Sequence, residues 1–485
     1  MKPLTVQTIA EAIGAVMPAA AKTIRVTRIC TDSRTLEAGD CFFALSGDNF
    51  DGHEYVAQAF AKGASCAVVS RDTASDGLLL RTDDTIKALG DLARAYRRVH
   101  PFKVVAITGS VGKTTTRQIV YHVLSRHFRT HQARKNFNNN IGLPLTLLDA
   151  KPDDEIVVAE LGANAPGEIA YLTGIAGPDV AVVTNTHPAH LAGFGSLETI
   201  IQEKVSIAQG LNDNGAFFVN GDIDALVGAC RDRGQAFRTF GRSATCDYRA
   251  EQVVHEGLTS TFRVNGRPMR IPLPGPGNVD NALAAWAVCE QFGLTLEQYA
   301  DALEALPSVA MRAEPLQIGT LTVLNDCYNA NPASMNNALA MLGNLRTIAG
   351  KEAVQPSLGN PPASPGQAQG PAPTPVVPAE RRRVFVCGAM AELGQASEAL
   401  HAELGQAVAK AGVDLLITVG EATKATAAAA KTGSHRLVSE HFDDTASLCD
   451  NLSALLREHD IILVKGSRTA RLENVVQRLM KENQR

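Results

Sequence analysis

Residues 104–116 read VVAITGSVGKTTT, and no other stretch constrains the fold as tightly. An apolar run with the character of a buried strand leads into two glycines, a lysine and a run of threonines. Gly112, Lys113 and Thr114 supply the second half of the phosphate-loop pattern G-x-x-x-x-G-K-[ST]. The place of its first glycine is held by Ile107, with Gly109 two residues later. A phosphate site needs backbone N–H groups turned inward and a helix N-terminus behind them, and glycine allows the tight turn that makes such a nest. The segment meets that need, with a strand ending at Thr108, a loop of Gly109, Ser110, Val111 and Gly112, and a helix from Lys113. The cradle is expected to span Thr108 to Thr115, with Lys113 reaching the terminal phosphates and the Thr114 hydroxyl ligating Mg²⁺.

The pattern around this loop alternates. KVVAIT, EIVVAEL, DVAVVTN and GAFFVN read as strands, while the segment Lys113–His127 and LETIIQEKVSIAQGL read as helices. Such alternation predicts a mostly parallel sheet covered by helices on both faces. Two further helices, NALAAWAVCEQFG and LEQYADALEAL, close this block before Met311. Ahead of it, VAQAFAKGASCAVVS reads as helix then strand, and TDDTIKALGDLARAYRRVH as a helix ending at Pro101. After it, TLTVLND, RVFVCGAM, VDLLITVG and DIILVKGS are apolar strands of a second, smaller α/β unit. A chain of 485 residues exceeds one hydrophobic core. The expected class is therefore α/β with three domains, at 1–100, 101–311 and 312–485. Residues 352–380, rich in Pro, Ala and Gly, are expected to form a disordered surface insertion.

Composition excludes several classes. The formal net charge of −4 carries no nucleic-acid or membrane-surface footprint. No apolar run approaches the ~18–20 residues of a membrane span, and MKPLTVQTIAEAIGAVMPAA, with Glu11 inside it, reads as an amphipathic helix rather than a signal peptide. Nine cysteines without a C-x-x-C pair favour a reducing cytoplasm over a disulfide or zinc scaffold.

Other residues stand where chemistry is expected. Glu160 ends the strand EIVVAEL, at the carboxyl edge where open α/β sheets bind ligands, and a carboxylate there suits Mg²⁺ bridging phosphates. His190 follows another strand in VVTNTHPAHLAGFGS, and Lys204 sits on a helix in EKVSI; taken alone, either has an ordinary structural reading. Asn278 and Asn281, in PGPGNVDNALAA, suit a base edge because an amide both donates and accepts, and Asn278 or Asp280 equally suits a helix cap. TDSR at 31–34 and DGH at 51–53 carry a hydroxyl, a guanidinium and turn amides fit for uracil or diphosphate; a capped turn is the alternative for TDSR.

The form T-G-S-x-G-K-T-T resembles the shortened phosphate loop of the Mur ligase superfamily, the ATP-dependent amide-forming enzymes of peptidoglycan synthesis, a group that includes the folylpolyglutamate synthetases. ELGANAPGEI, the NFNNNIGLPLTLL and PGNVDN segments, NDCYNANPASM, GAMAELG and VKGSR extend that resemblance from about Thr31 to Arg468. It implies an N-terminal α/β uridine-nucleotide domain, a central P-loop ATPase-like domain and a C-terminal Rossmann-like domain. It implies ATP with two Mg²⁺ ions, held through Thr114, Glu160, His190 and Lys204, the last carbamylated. It places Lys113, Lys204, His190 and Arg312 in catalysis. Asn278 and Asn281 go near adenine, Arg312 toward the γ-phosphate and Asp326 toward ribose. Ser33, Arg34, Asp51 and His53 fall to the nucleotide-sugar substrate. YNANPASM is similar to the branch that adds D-alanyl-D-alanine to UDP-N-acetylmuramoyl-tripeptide, which gives Tyr328, Asn329, Asn331 and Ser334 to that dipeptide. Lys465 and Arg468 also fit that branch. Three departures stand out: Glu203 replaces a small residue before Lys204, Gly277 replaces a histidine, and Ala389 an aspartate. A cytoplasmic monomer is expected. The alternatives are another amino-acid-adding Mur enzyme, a folylpolyglutamate synthetase, or a P-loop switch that hydrolyses ATP without forming an amide.

Overall fold

The computed structural model describes residues 1–47, 50–134, 136–345 and 381–483. The insertion expected at 352–380 lies outside the described residues. The chain divides into two compact units, Met1–Glu251 with Asp280–Leu306, and Gln252–Val279 with Pro307–Arg485.

The first unit contains two parallel sheets. A four-stranded sheet runs in the order Arg28–Cys30, Asp40–Phe43, Cys66–Val69, Leu79–Arg81. A seven-stranded sheet runs Thr130–Gln132, Ile156–Glu160, Lys103–Thr108, Val180–Val183, Ala216–Asn220, Arg238–Gly241, Tyr248–Arg249, and its neighbours all pair parallel. Residues 104–108 are wholly buried. With both faces covered, a strand needs apolar residues at every position, which is why VVAI is continuous rather than alternating. Each Val or Ile so buried contributes about 1.5–3 kcal/mol.

The place of Lys103–Thr108 in that order locates the site. The chain leaves this strand toward Thr130–Gln132 and Ile156–Glu160 on one side, then crosses to Val180–Val183 on the other. Ligands of open α/β sheets bind in the crevice at the carboxyl ends of strands where the winding reverses. Here that crevice is framed by the residues following Thr108, Glu160 and Val183.

The helix Thr85–Val99 ends before Pro101 as expected, and its Leu89, Leu92 and Tyr96 share one apolar cluster with Val104, Ala106, Val157 and Ala159 of the seven-stranded sheet. At the N-terminus the amphipathic helix is shorter than its sequence pattern, Val6–Ile13, capped by the Thr5 hydroxyl and ended by Gly14 at φ 67°.

The second unit is built on a six-stranded sheet, Glu314–Ile318, Leu321–Asn325, Ile461–Lys465, Arg383–Gly388, Leu415–Val419, Val438–Phe442, antiparallel at its first pair and parallel elsewhere. Alternate residues feed two cores. Leu324, Phe385, Leu416 and Leu463 point into one, and Val323, Val384, Val386, Ile417 and Ile462 into the other. A three-stranded sheet, Glu251–Glu256, Thr259–Val264 and Arg267–Ile271, has no counterpart among the strands expected from sequence. In its middle strand Ser260, Phe262 and Val264 are buried between exposed neighbours, a half-solvated alternation that gives a weaker signal than a continuous apolar run.

Candidate active site

The loop after Thr108 turns on glycines at φ 145° (Gly109) and 84° (Gly112). A Cβ on Gly109 would strike the Thr184 hydroxyl and the Asn185 backbone, and one on Gly112 would strike the Asn281 amide. Ile107, where the strict pattern has its first glycine, is an in-register strand residue paired with Glu160 and Val182. The shortened pattern thus keeps glycine where the chain must bend and lets the strand run further.

The helix Lys113–Leu124 begins at Gly112 with no side-chain cap, so its first-turn amides and dipole face the loop. Lys113 Nζ donates to the Gly109 carbonyl at 2.7 Å, which holds the ammonium over the loop. The Thr114 hydroxyl donates to Glu160 Oε2 at 2.9 Å. Glu160 is 3% exposed, and its other oxygen accepts from Asn138 Nδ2 at 3.0 Å while Arg117 stands 3.9 Å away. A hydroxyl and a carboxylate side by side at a phosphate loop are hard oxygen donors that fit Mg²⁺. Among the described residues no group of three or more His, Cys, Asp or Glu could hold a metal by itself.

Two of the expected cradle amides are turned inward. Ser110 N donates to the Asn185 carbonyl at 3.1 Å and Val111 N to Asn185 Oδ1 at 2.9 Å. One N–H carries one hydrogen, so these two are engaged within the protein. Thr108 is likewise buried, its hydroxyl donating to the Leu161 carbonyl.

Lys204 is 3% exposed on the helix Leu197–Val205, with Nζ 5.5 Å from the centroid of the Phe194 ring. Burial, and then the nearby Lys113 ammonium, push its pKa down to about 7. The neighbouring Glu203 turns away to accept from Gly167 N at 2.7 Å and Ile169 N at 2.6 Å, closing the N-terminus of the helix Glu168–Ala176. His190 holds a left-handed conformation, φ 54°, at the start of the helical turn Leu191–Phe194.

Asn281 lies against the phosphate loop, accepting from the Thr116 hydroxyl at 3.2 Å beside Gly112. Asn278, third residue of the helix Pro276–Gln291, donates from Nδ2 to the Pro274 carbonyl at 2.7 Å, which ties the helix start to the turn before it and is not an N-cap bond, in which the side-chain oxygen accepts. In the second unit, Gly277 N donates to Asn337 Oδ1 at 3.1 Å.

Also in the second unit, the Arg312 guanidinium lies 4.1 Å from the centroid of the Tyr328 ring, between Met311 and Ala313, which both have positive φ. Asp326 accepts from Lys465 Nζ at 2.7 Å and from Ala313 N at 3.1 Å. Lys465, 2% exposed, also donates to the Asn329 carbonyl at 3.0 Å, so one buried ammonium joins Asp326 to the YNAN turn. Asn331 and Ser334 form a reciprocal capping box on the helix Pro332–Asn344. The Ala389 carbonyl accepts from Ser467 N at 2.9 Å.

Near the N-terminus, Arg34 is 86% exposed on its side chain and paired with Asp32 at 2.7 Å, which brings the Asp32 pKa down to about 2. Ser33 is buried, donating to Gln58 Oε1 at 3.0 Å. Asp51 gathers Arg71, His53 and Ser46, and hydrogen bonds from them, Arg71 first, hold its carboxyl far below the usual range. The His53 ring is internal: Nδ1 donates to Asp51 at 2.6 Å and Nε2 accepts from Ser70 N at 2.9 Å. It braces Asp51 rather than facing solvent.

Sequence reasoning missed Asn138, Arg117 and Asn185 as individual residues. Asn138 lies in the flagged NFNNN run, but its contact with Glu160 depends on strand pairing and has no local signal.

A parallel sheet with a shortened phosphate loop at its switch point, a hydroxyl–carboxylate pair beside it and a buried lysine of lowered pKa define a P-loop nucleotide-dependent enzyme. Comparison with known proteins narrows this class. Residues 25–97 match the family profile "Mur ligase family, catalytic domain", residues 107–289 "Mur ligase middle domain" and residues 375–468 "Mur ligase, glutamate ligase domain". The UDP-N-acetylmuramoyl-tripeptide–D-alanyl-D-alanine ligase of Escherichia coli (strain K12) is 36% identical over 95% of this chain and 95% of its own length. A crystal structure of MurF from Acinetobacter baumannii superposes with a TM-score of 0.84 at 30% identity, covering 99% of both chains. A MurF ligase from Thermotoga maritima in complex with ADP superposes with a TM-score of 0.79 at 25% identity, covering 95% of this chain and 98% of that one. The chain belongs to the Mur ligase family.

Proposed function

We infer that this protein joins D-alanyl-D-alanine to the terminal carboxylate of UDP-N-acetylmuramoyl-tripeptide, using ATP and releasing ADP and phosphate, in peptidoglycan precursor synthesis. The Thr114–Glu160 pair at the mouth of the phosphate loop carries the phosphoryl-transfer half of this reading. The end-to-end likeness to named D-alanyl-D-alanine ligases carries the substrate half.

A carboxylate is a poor electrophile because an attacking amine would have to expel oxide. Transfer of the γ-phosphoryl group of ATP onto it gives an acyl phosphate and ADP. The amine attacks the acyl carbon, phosphate leaves with the bonding pair, a proton is lost from nitrogen, and an amide remains. Lys113 spreads charge on the transferring phosphoryl group, and the helix N-terminus behind it orients the phosphates. Mg²⁺, two ions in this reading, would be held near Thr114, Glu160, His190 and Lys204, and supplies Lewis-acid neutralisation of phosphate charge. A carbamylated Lys204 converts a cation to an anion suited to orienting the metal, and its pKa of about 7 leaves the neutral amine that carbamylation requires available at neutral pH.

The domain division proposed is 1–100 for the UDP end, 101–311 for ATP and 312–485 for the dipeptide. Asn278, Asn281, Arg312 and Asp326 are assigned to the nucleotide. Ser33, Arg34, Asp51 and His53 are assigned to the UDP-sugar, with the His53 ring also bracing Asp51. Tyr328, Asn329, Asn331 and Ser334 are assigned to the dipeptide, the last two also capping the helix Pro332–Asn344. The protein is proposed to act in the cytoplasm as a monomer; its nine cysteines are free thiols, and no described helix is long and apolar enough to cross a membrane.

Mass spectrometry of a reaction containing ATP, UDP-peptide and D-alanyl-D-alanine tests the reading. The expected result is the ligated UDP-pentapeptide with ADP. Phosphate release that needs neither UDP-peptide nor dipeptide would instead identify an ATP-driven switch, and ligation of a single amino acid would identify another Mur activity.

A further inference from the structure

The segment Thr184–His187 grips the phosphate loop more closely than strand pairing requires. Thr184 N donates to the Thr108 carbonyl at 2.9 Å, and the Thr184 hydroxyl to the Val111 carbonyl at 2.6 Å. Ser110 Oγ donates to the His187 carbonyl at 2.8 Å and accepts from His187 N at 2.9 Å. Asn185 completes the set with three bonds. Its carbonyl takes Ser110 N, its Oδ1 takes Val111 N at 2.9 Å, and its Nδ2 donates to the Val111 carbonyl at 2.9 Å. A side-chain amide offers an acceptor and a donor at the spacing of a peptide group, so Asn185 pairs with both main-chain groups of Val111 as a neighbouring strand would. Gly109 lies against the same backbone, where no Cβ fits.

We propose that Asn185 is a positioning residue for nucleotide binding: it fixes the curvature of the phosphate loop by closing both main-chain groups of Val111. The inference rests on the reading that this loop binds the phosphates of ATP. Aspartate cannot replace Asn185. It keeps the acceptor for Val111 N but sets a second oxygen against the Val111 carbonyl, acceptor against acceptor. Alanine leaves Val111 N without its acceptor and the Val111 carbonyl with the Thr184 hydroxyl alone. Because the same segment continues to His190, the clamp also ties the phosphate loop to the histidine assigned to metal.

Asn185→Asp and Asn185→Ala are expected to raise the KM for ATP about tenfold or more, since a distorted loop loses several aligned hydrogen bonds at once. The Kd for UDP-peptide, measured by calorimetry, is expected to stay unchanged. A residue that serves stability alone would lower the melting temperature and leave the KM for ATP of the folded fraction as in the unsubstituted protein, and that result overturns the proposal. Hydrogen exchange on the unsubstituted protein gives a second test that does not depend on how the variants fold. The Val111 amide is expected to be protected with and without a non-hydrolysable ATP analogue, while those of Lys113–Thr115 gain protection when it is added. A Val111 amide that exchanges freely until the analogue binds overturns the clamp. Failure of the unsubstituted protein to bind the analogue at all would count against the proposed function, not against the positioning role within it.

Discussion

Lys113 and Lys204, both in the first unit, interact electrostatically and carry different burdens. The Lys113 ammonium is anchored to the Gly109 carbonyl and helps to lower the pKa of Lys204. Lys113→Ala is expected to cut ATP turnover by about two orders of magnitude or more, in the range of removing one charge-stabilising donor. UDP-peptide binding, measured by calorimetry, should be preserved; loss of both would contradict separate sites. Lys204 leads to a pH expectation. Its neutral form predominates above about pH 7 and its ammonium below. Activity in bicarbonate-containing buffer should therefore rise through that value, and buffer stripped of carbon dioxide should depress it. A flat profile that ignores bicarbonate would remove the carbamate from the account. At this scale the sequence was legible where a residue's role is local. Lys113 and Thr114 stand out by spacing alone. The capping box of Asn331 and Ser334 was not expected from sequence, where the family resemblance gives both residues to the dipeptide. Asn185 had no local cue, since its contacts reach across 74 residues through the pairing of two strands.

Glu203 shows how one element depends on another. Its buried carboxylate receives two amides at the N-terminus of the helix Glu168–Ala176, so the residue that departs from the family's small side chain closes a helix end. Glu203→Ala would leave two buried N–H groups without their acceptor and is expected to cost about 2–4 kcal/mol. Glu203→Gln, which keeps one acceptor oxygen, should cost about 1–2 kcal/mol. Urea unfolding of both variants measures this, and equal losses would show that the charge and the second bond matter little. The fully buried strands of the two large sheets were readable as elements because burial on both faces demands unbroken apolar runs, as in Arg383–Gly388 and Ile461–Lys465, while the partly exposed Thr130–Gln132, Arg238–Gly241, Tyr248–Arg249, Glu314–Ile318 and Val438–Phe442 were not expected. The sheet of Glu251–Ile271 was not, because its strands alternate exposed residues with buried or only half-buried ones.

At the scale of the whole molecule, His122, His131, His187 and His401 among the described residues share one electrostatic condition. Burial, the leading cause in each, holds them below the ordinary imidazole pKa. His401 illustrates the cost of protonation: Nδ1 donates to the Ser397 carbonyl at 2.7 Å while Nε2 accepts from Met390 N at 3.1 Å, so no acceptor is left for a second proton. The unfolded chain takes up protons near pH 6.5 and the folded chain at lower pH, so stability is full above about 6.5 and falls as pH drops below it. The urea midpoint should be lower at pH 5.5 than at pH 7.5, and His401→Gln should reduce the difference; a midpoint that rises on acidification would contradict the burial argument. The α/β class was legible in outline from strands alternating with helices. The apolar cluster that joins the helix Thr85–Val99 to the seven-stranded sheet was not, because apolar faces in a sequence do not name their partners.

The central claim is that ATP activates the peptide acid before the amine attacks. Ligation with labelled oxygen in the terminal carboxylate of the UDP-tripeptide tests it most directly. Transfer through an acyl phosphate predicts labelled oxygen in the released phosphate, formed in step with the amide. Phosphate that carries no label while the amide forms would contradict the account.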